Sequence, residues 1–235
     1  MWEYKTQSGT QMTNAIKMIF LEKLFPYKIV TFVSFTIAFS KIIISKSMDP
    51  TSYLEGIKKQ FQYYKSLGDK TFDQVPDEKL FWQYNDTSNS IAIIVKHLWG
   101  NMKSRWADFL TSDGEKEWRN RDAEFENDIP SKAVLIARWN EGWQSLFDAL
   151  DEVNETNFDQ PIYIRNIEHT ITEAINRQLA HYSYHVGQIV YIGKIITDDH
   201  WQSLSIPKGT SKIYNKKRFE KPKHKAHYTD NFLKD

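Results

Sequence analysis

The stretch TITEAINRQLAHYSYHVGQIVYIGKIIT, from Thr170 to Thr197, decides the fold. Thr170-x-x-Glu173 is a capping-box pattern, in which the hydroxyl takes the N–H three residues on and the carboxylate reaches back to the cap's own N–H. Behind it Ile171, Ile175, Leu179, Tyr182, Val186, Ile189, Gly193 and Ile196 recur by threes and fours, the apolar stripe of a long helix. His181 and His185 lie beside that stripe, on a row with Ala174, Gln178 and Ile192. Four residues of α-helix turn the chain by about 400°, so both rings leave one face with Cβ atoms roughly 6 Å apart. That bite suits one transition metal; two histidines hold it weakly, and a third from another helix would complete a facial set with open positions.

Outward from this helix the same periodicity recurs three times. Asp49 is a good N-cap and Pro50 a good first helical residue; Leu54, Ile57, Phe61, Tyr64 and Leu67 follow at helical spacing, predicting a helix to about Val75 that stops before Pro76. The polar run Asn85–Asn89 introduces a second, with Ile91, Ile94, Val95, Leu98, Met102 and Phe109 on its stripe and Thr111–Gly114 ending it. A third follows Pro130 and Ser131 and carries Val134, Leu135, Trp139, Trp143, Leu146, Phe147 and Leu150. Pro161–His169 alternates briefly and reads as a hairpin turning about Arg165-Asn166. The sum is an all-α domain, an antiparallel four-helix bundle with a short β-hairpin before the last helix. The long loop between helices two and three departs from a minimal bundle.

The ends read differently. In residues 1–47, Lys17, Lys23 and Lys28 precede an apolar run, Ile29–Phe39, which is short for a membrane span and has the length of a signal-peptide core without a clean cleavage site. Three readings stand: sequence upstream of a start at Met48, an export signal or anchor, or a helix packed on the main domain. If Met48 is the start, the protein is expected in the cytoplasm; a genuine signal or anchor would make it exported or membrane-anchored. Residues 48–206 carry the bundle. Residues 207–235 are basic and poor in large aliphatics, expected to form a flexible tail or to lie against the surface.

Composition narrows the chemistry. The 235 residues carry a formal charge of +1, so no global field selects nucleic acid. There are no cysteines, which excludes disulfides, a cysteine nucleophile and zinc–thiolate sites, and leaves histidine, carboxylate or water for any metal. Trp99, Trp106, Trp139 and Trp143 are read as core. His97, in the run Val95-Lys-His-Leu-Trp-Gly-Asn101, sits at the edge of helix two's stripe, level with Ile94 and Asn101. If helices two and four are neighbours, its ring can converge with the pair; periodicity alone does not make them neighbours. No Glu follows His181, so the H-E-x-x-H pattern with its built-in base is absent. His169 is expected in a turn hydrogen bond, and His200, His224 and His227 in solvent.

These residues carry a resemblance. His97 with His181-Tyr-Ser-Tyr-His185 resembles the DinB-like (YfiT-type) metal-binding four-helix proteins. Ser90–Leu98, Ser104–Leu110, Trp118–Glu126, Glu173–Ile189 and Ser205–Gly209 resemble, more narrowly, an uncharacterised branch of that superfamily, a domain of unknown function. The resemblance covers Met48 to the C-terminus. It implies a left-handed bundle with a divalent metal, zinc or nickel, on His97, His181 and His185, and homodimers in many relatives. Characterised relatives include thiol-dependent transferases and isomerases that use bacillithiol or mycothiol. The expectation is then a metal-dependent transferase using a small thiol or a metal-activated water as nucleophile; the alternative is a non-catalytic metal-binding or interaction protein, supported by the lack of an obvious carboxylate beside the histidines. Arg177 is a candidate clamp for a substrate carboxylate or phosphate, or else an ion-pair partner. Asn101 and Gln188 are candidates to orient a ligand, and Arg105 and Asp108 are expected to pair with each other or to cap the loop.

Overall fold

The protein is described here by a computed structural model covering residues 49–233. The three readings of residues 1–47 fall outside the described residues. Four long helices dominate: α1 (Pro50–Phe72), α2 (Ile91–Trp106), α3 (Lys132–Glu152) and α4 (Ile171–Thr197). A two-stranded antiparallel hairpin, β1 (Pro161–Ile164) and β2 (Ile167–Thr170), precedes α4, and a short α5 (Ser211–Phe219) follows it. Single 3₁₀ turns at Asp77–Phe81, Asp122–Phe125, Asp198–His200 and Tyr228–Asn231 punctuate the connections. Among the described residues, no helix is long and apolar enough to cross a membrane.

The caps explain where the helices begin. Ser90, one residue beyond the polar run, accepts from the Ile93 N–H, and Ser131 accepts from the Val134 N–H. Thr170 and Glu173 form the full reciprocal box. Two helices end earlier than their stripes suggest. Helix α1 stops at Phe72, with Val75 buried in the turn beyond it; α2 stops at Trp106, because Asp108 adopts φ 48° and turns the chain away. Phe109 is buried from that turn rather than from a helix face.

Helix α1 packs on α4 and α3, and α2 packs on α3 and α4. The core between them is aromatic. The Trp143 ring lies 5.4 Å from that of Trp139, 6.3 Å from Phe61 and 5.8 Å from Tyr182, all edge-to-face. Gly68 lets α1 approach α3: a Cβ there would lie 2.3 Å from the Trp139 ring. Trp106, Trp139 and Trp143 are buried as expected, whereas Trp99 is half-exposed, with the Arg138 guanidinium 4.9 Å over its ring.

The hairpin turns at Arg165-Asn166, both at positive φ (54° and 59°), as a two-residue turn matched to strand twist requires. The Asp113 carboxylate accepts from both turn N–H groups, at 2.8 and 2.7 Å, and ties the hairpin to the loop after α2. The basic stretch after 207 holds α5, and its end returns to α1. Lys59 pairs with Asp230 at 2.8 Å, the Tyr63 and Phe232 rings lie 5.5 Å apart, and Thr229 is fully buried.

Candidate metal centre

Helices α2 and α4 are neighbours, and the three sequence-predicted histidines meet between them. Each offers one ring nitrogen, and these nitrogens all lie within 4.8 Å of one another. His97 Nε2 is 3.3 Å from His181 Nε2. Two nitrogens at Zn–N distance around a tetrahedral ion are roughly 3.3 Å apart, so that pair already has the separation a cation needs.

What holds the register is a hydrogen-bonded chain directly below. Trp106 Nε1 donates to the Tyr182 hydroxyl at 3.0 Å, and that hydroxyl donates to Asn101 Oδ1 at 3.1 Å. Tyr182 is fully buried, its hydroxyl pushed well above the ordinary range by desolvation. Tyr182 follows His181 and Asn101 is one turn after His97, so this brace sets the histidines level. Asn101 therefore acts through α4 rather than on a ring, since its side-chain oxygen accepts from Tyr182.

Proton placement follows from the partners. A carboxylate only accepts, so His97 Nδ1, 2.9 Å from Glu124 Oε2, carries the proton and leaves the Nε2 lone pair facing the cluster. His185 Nδ1 lies 2.8 Å from Gln188 Oε1, which likewise turns its Nε2 inward, so Gln188 orients the ring of one candidate ligand. Burial, with the neighbouring rings, lowers the His181 pKa to about 3; burial lowers that of His185 to about 4 against the bond from Gln188. Both are neutral near pH 7, the form that ligates a metal.

Glu124 was not visible as a functional residue, and it corrects the expectation that no carboxylate stands beside the histidines. It belongs to the 3₁₀ turn in the long loop between α2 and α3. Its side chain is 6% exposed, and Arg119 grips it through Nε at 2.7 Å and Nη2 at 3.0 Å. Burial raises its pKa, but the bonds from His97 and Arg119 prevail and hold the carboxyl below its usual range. Gly100 makes room for it: a Cβ there would lie 2.2 Å from Glu124 Oε1. The next residue, Phe125, stacks on His97 at 5.1 Å and 27°. Lys96, buried on α2, fastens the loop through Asp128 and the Glu126 carbonyl. The block Trp118–Glu126 was the available signal; what it lacked was any sequence periodicity linking a loop to a helix face.

The rings open onto a cavity of about 340 Å³. Phe125, Asn101 and Gln178 line it together with Arg105, Arg119, Arg121, Arg165 and Arg177. Arg177 is exposed on its rim, with Nη1 3.2 Å from His169 Nε2, so it reaches the site and its partner is a histidine rather than an acid. His169 Nδ1 meets the Ile167 carbonyl at 2.9 Å, the expected turn bond. Arg105 does not pair with Asp108; it is buried against the cavity.

The family described as protein of unknown function, DUF1572, matches residues 49–210. The chain belongs to the DUF1572 family. All three histidines, Glu124 and the hairpin fall inside the matched span, whereas α5 and the return to α1 lie beyond it. No curated protein matches this DUF1572 chain.

Proposed function

We propose that the chain is a DinB-like four-helix-bundle metalloprotein whose His97, His181 and His185 hold one divalent cation, zinc or nickel, and that it is a transferase joining a small thiol, or water, to an electrophile in the adjoining cavity. The observation that carries this reading is the convergence of three imidazoles from two helices, two of them with the outer nitrogen hydrogen-bonded so that Nε2 faces the centre. A cation bound there would supply Lewis acidity at an open position and lower the pKa of the nucleophile. The chain's own residues do the rest. Glu124 and Gln188 orient two of the rings, Phe125 shields one face of His97, and the α2–α4 brace fixes the distance between the helices. A purely structural metal site is closed by four protein ligands, whereas these three histidines border a cavity, which favours a reactive site over a structural one.

Elemental analysis of freshly purified protein should find one zinc or nickel per chain, lost in His181→Ala. Incubation with a small thiol and a soft electrophile should give conjugate by mass spectrometry, and the same variant should abolish it. Metal that is present but whose removal changes only thermal stability would favour the non-catalytic alternative.

A further inference from the structure

The cavity beside the histidines is electrically lopsided. Five arginines line it, and among the described residues no aspartate or glutamate does. Most of these cations have company: Arg119 is held by Glu124 and Glu115, Arg165 by Glu115, Arg177 leans on His169, and Arg121 lies 5.2 Å over the Phe125 ring.

Arg105 has none. It is 5% exposed, and its Nε and Nη1 are buried without a hydrogen-bond partner. It cannot swing out, because the loop sits on it: a Cβ at Gly114 would lie 2.7 Å from Nη1. Burial presses its pKa down, yet a guanidinium does not shed its proton under ordinary conditions. Buried guanidinium N–H groups without acceptors are costly for a fold to keep. On the facing helix Gln178, 2% exposed, has a buried Oε1 without a donor, and it lines the same cavity. Arg105 stands eight residues past His97 and Gln178 three before His181, so both lie to one side of the histidine cluster. One side chain lacks an acceptor, the other a donor, and no protein group bridges them.

We propose that this end of the cavity is an oxyanion subsite: Arg105 takes a carboxylate or phosphate of a small substrate, Gln178 accepts from an O–H or N–H beside that group, and Arg177 closes over it from the rim. The substrate class is thus a small hydroxy or amino acid, or a phosphate ester. Cavity size agrees, since about 340 Å³ holds a small molecule and not a polymer. The inference rests on the proposed metal site only in assigning the opposite end of the same molecule to the histidines.

Calorimetric titration of the full chain, metal-free and zinc-loaded, with inorganic phosphate, glycolate and acetate tests it. The metal-free protein should bind phosphate or glycolate, and the stronger of the two identifies the anion. Arg105→Gln should weaken that binding by about 10- to 100-fold, the value of a charge-assisted bond, with Arg105→Lys recovering part of it. Glycolate should bind more tightly than acetate, and Gln178→Leu should erase that difference; this arm reads the subsite even if Arg105→Gln fails to fold. Equal affinity in folded Arg105→Gln and the unaltered protein overturns the proposal. So does anion binding seen only with zinc and lost in His181→Ala, which would leave the metal site standing alone. Anion binding by a protein that takes up no zinc would instead sink the metal reading and keep the subsite.

Discussion

The Glu124 carboxylate keeps the proton of His97 on Nδ1 and so decides which nitrogen faces the cluster. Partners of this kind typically change metal affinity by about 10- to 100-fold, and Glu124→Ala should weaken zinc binding by that factor in a competition titration with a chelator. Gly100→Ala should act in the same direction, because its methyl group would occupy the carboxylate's position. Since both changes work through one contact, the double variant should be little worse than the worse single one. A second residue-scale outcome concerns protons. His181 and His185 sit at about 3 and about 4 in the folded, metal-free protein, below the unfolded value of about 6.5. The unfolded chain therefore takes up protons first as pH falls. The stability these rings contribute is present above about pH 6.5 and declines as pH falls to about 4 for His185 and about 3 for His181. Urea midpoints of metal-free protein across that range should fall with pH, and His181→Leu should flatten the slope.

At the scale of elements, the relation of α2 to α4 rests on one buried hydroxyl. Tyr182→Phe leaves the Trp106 indole N–H and the Asn101 carbonyl oxygen facing each other without the group that joined them. Burying unsatisfied groups of this kind costs ~1–3 kcal/mol, to be read as a lower urea midpoint at unchanged m-value. Zinc affinity should fall as well, although the substituted ring touches no metal, because the helices lose what sets His97 level with His181. The loop between α2 and α3 is the other decisive element. It carries Arg119, Glu124 and Phe125 to the site and is fastened by Lys96 to Asp128. Lys96→Met should retain the helices by circular dichroism while loosening the loop to limited proteolysis.

Across the whole molecule, a cation held as proposed on the three histidines would join two helices, and through Glu124 also the loop. Binding of this kind, to the folded chain alone, stabilises by about 2.7 kcal/mol at a free metal concentration one hundred times Kd. Scanning calorimetry should therefore show a melting temperature several degrees higher with zinc, and no shift in His181→Ala. The aromatic core does not depend on the cation: Phe61, Trp139 and Trp143 are buried and do not line the cavity, so the apoprotein should still unfold cooperatively.

The sequence by itself determined the elements and the candidate ligands. Capping at Thr170-x-x-Glu173, the threes and fours of four apolar stripes, and the two-residue turn at Arg165-Asn166 are local, and local chemistry is written in neighbouring residues. The His181–His185 pair was legible for the same reason. Which helices become neighbours was not, because an amphipathic stripe specifies that a face is buried and not against what. Only the tertiary structure brought His97 to the pair, buried Arg105 beside the cavity with Nε and Nη1 lacking acceptors instead of pairing it with Asp108, and delivered Glu124 to His97 from 27 residues along the chain. Those outcomes depend on a loop whose course has no period to read, fixed instead by a glycine's missing side chain, a lysine–aspartate tie and a carboxylate that needed donors.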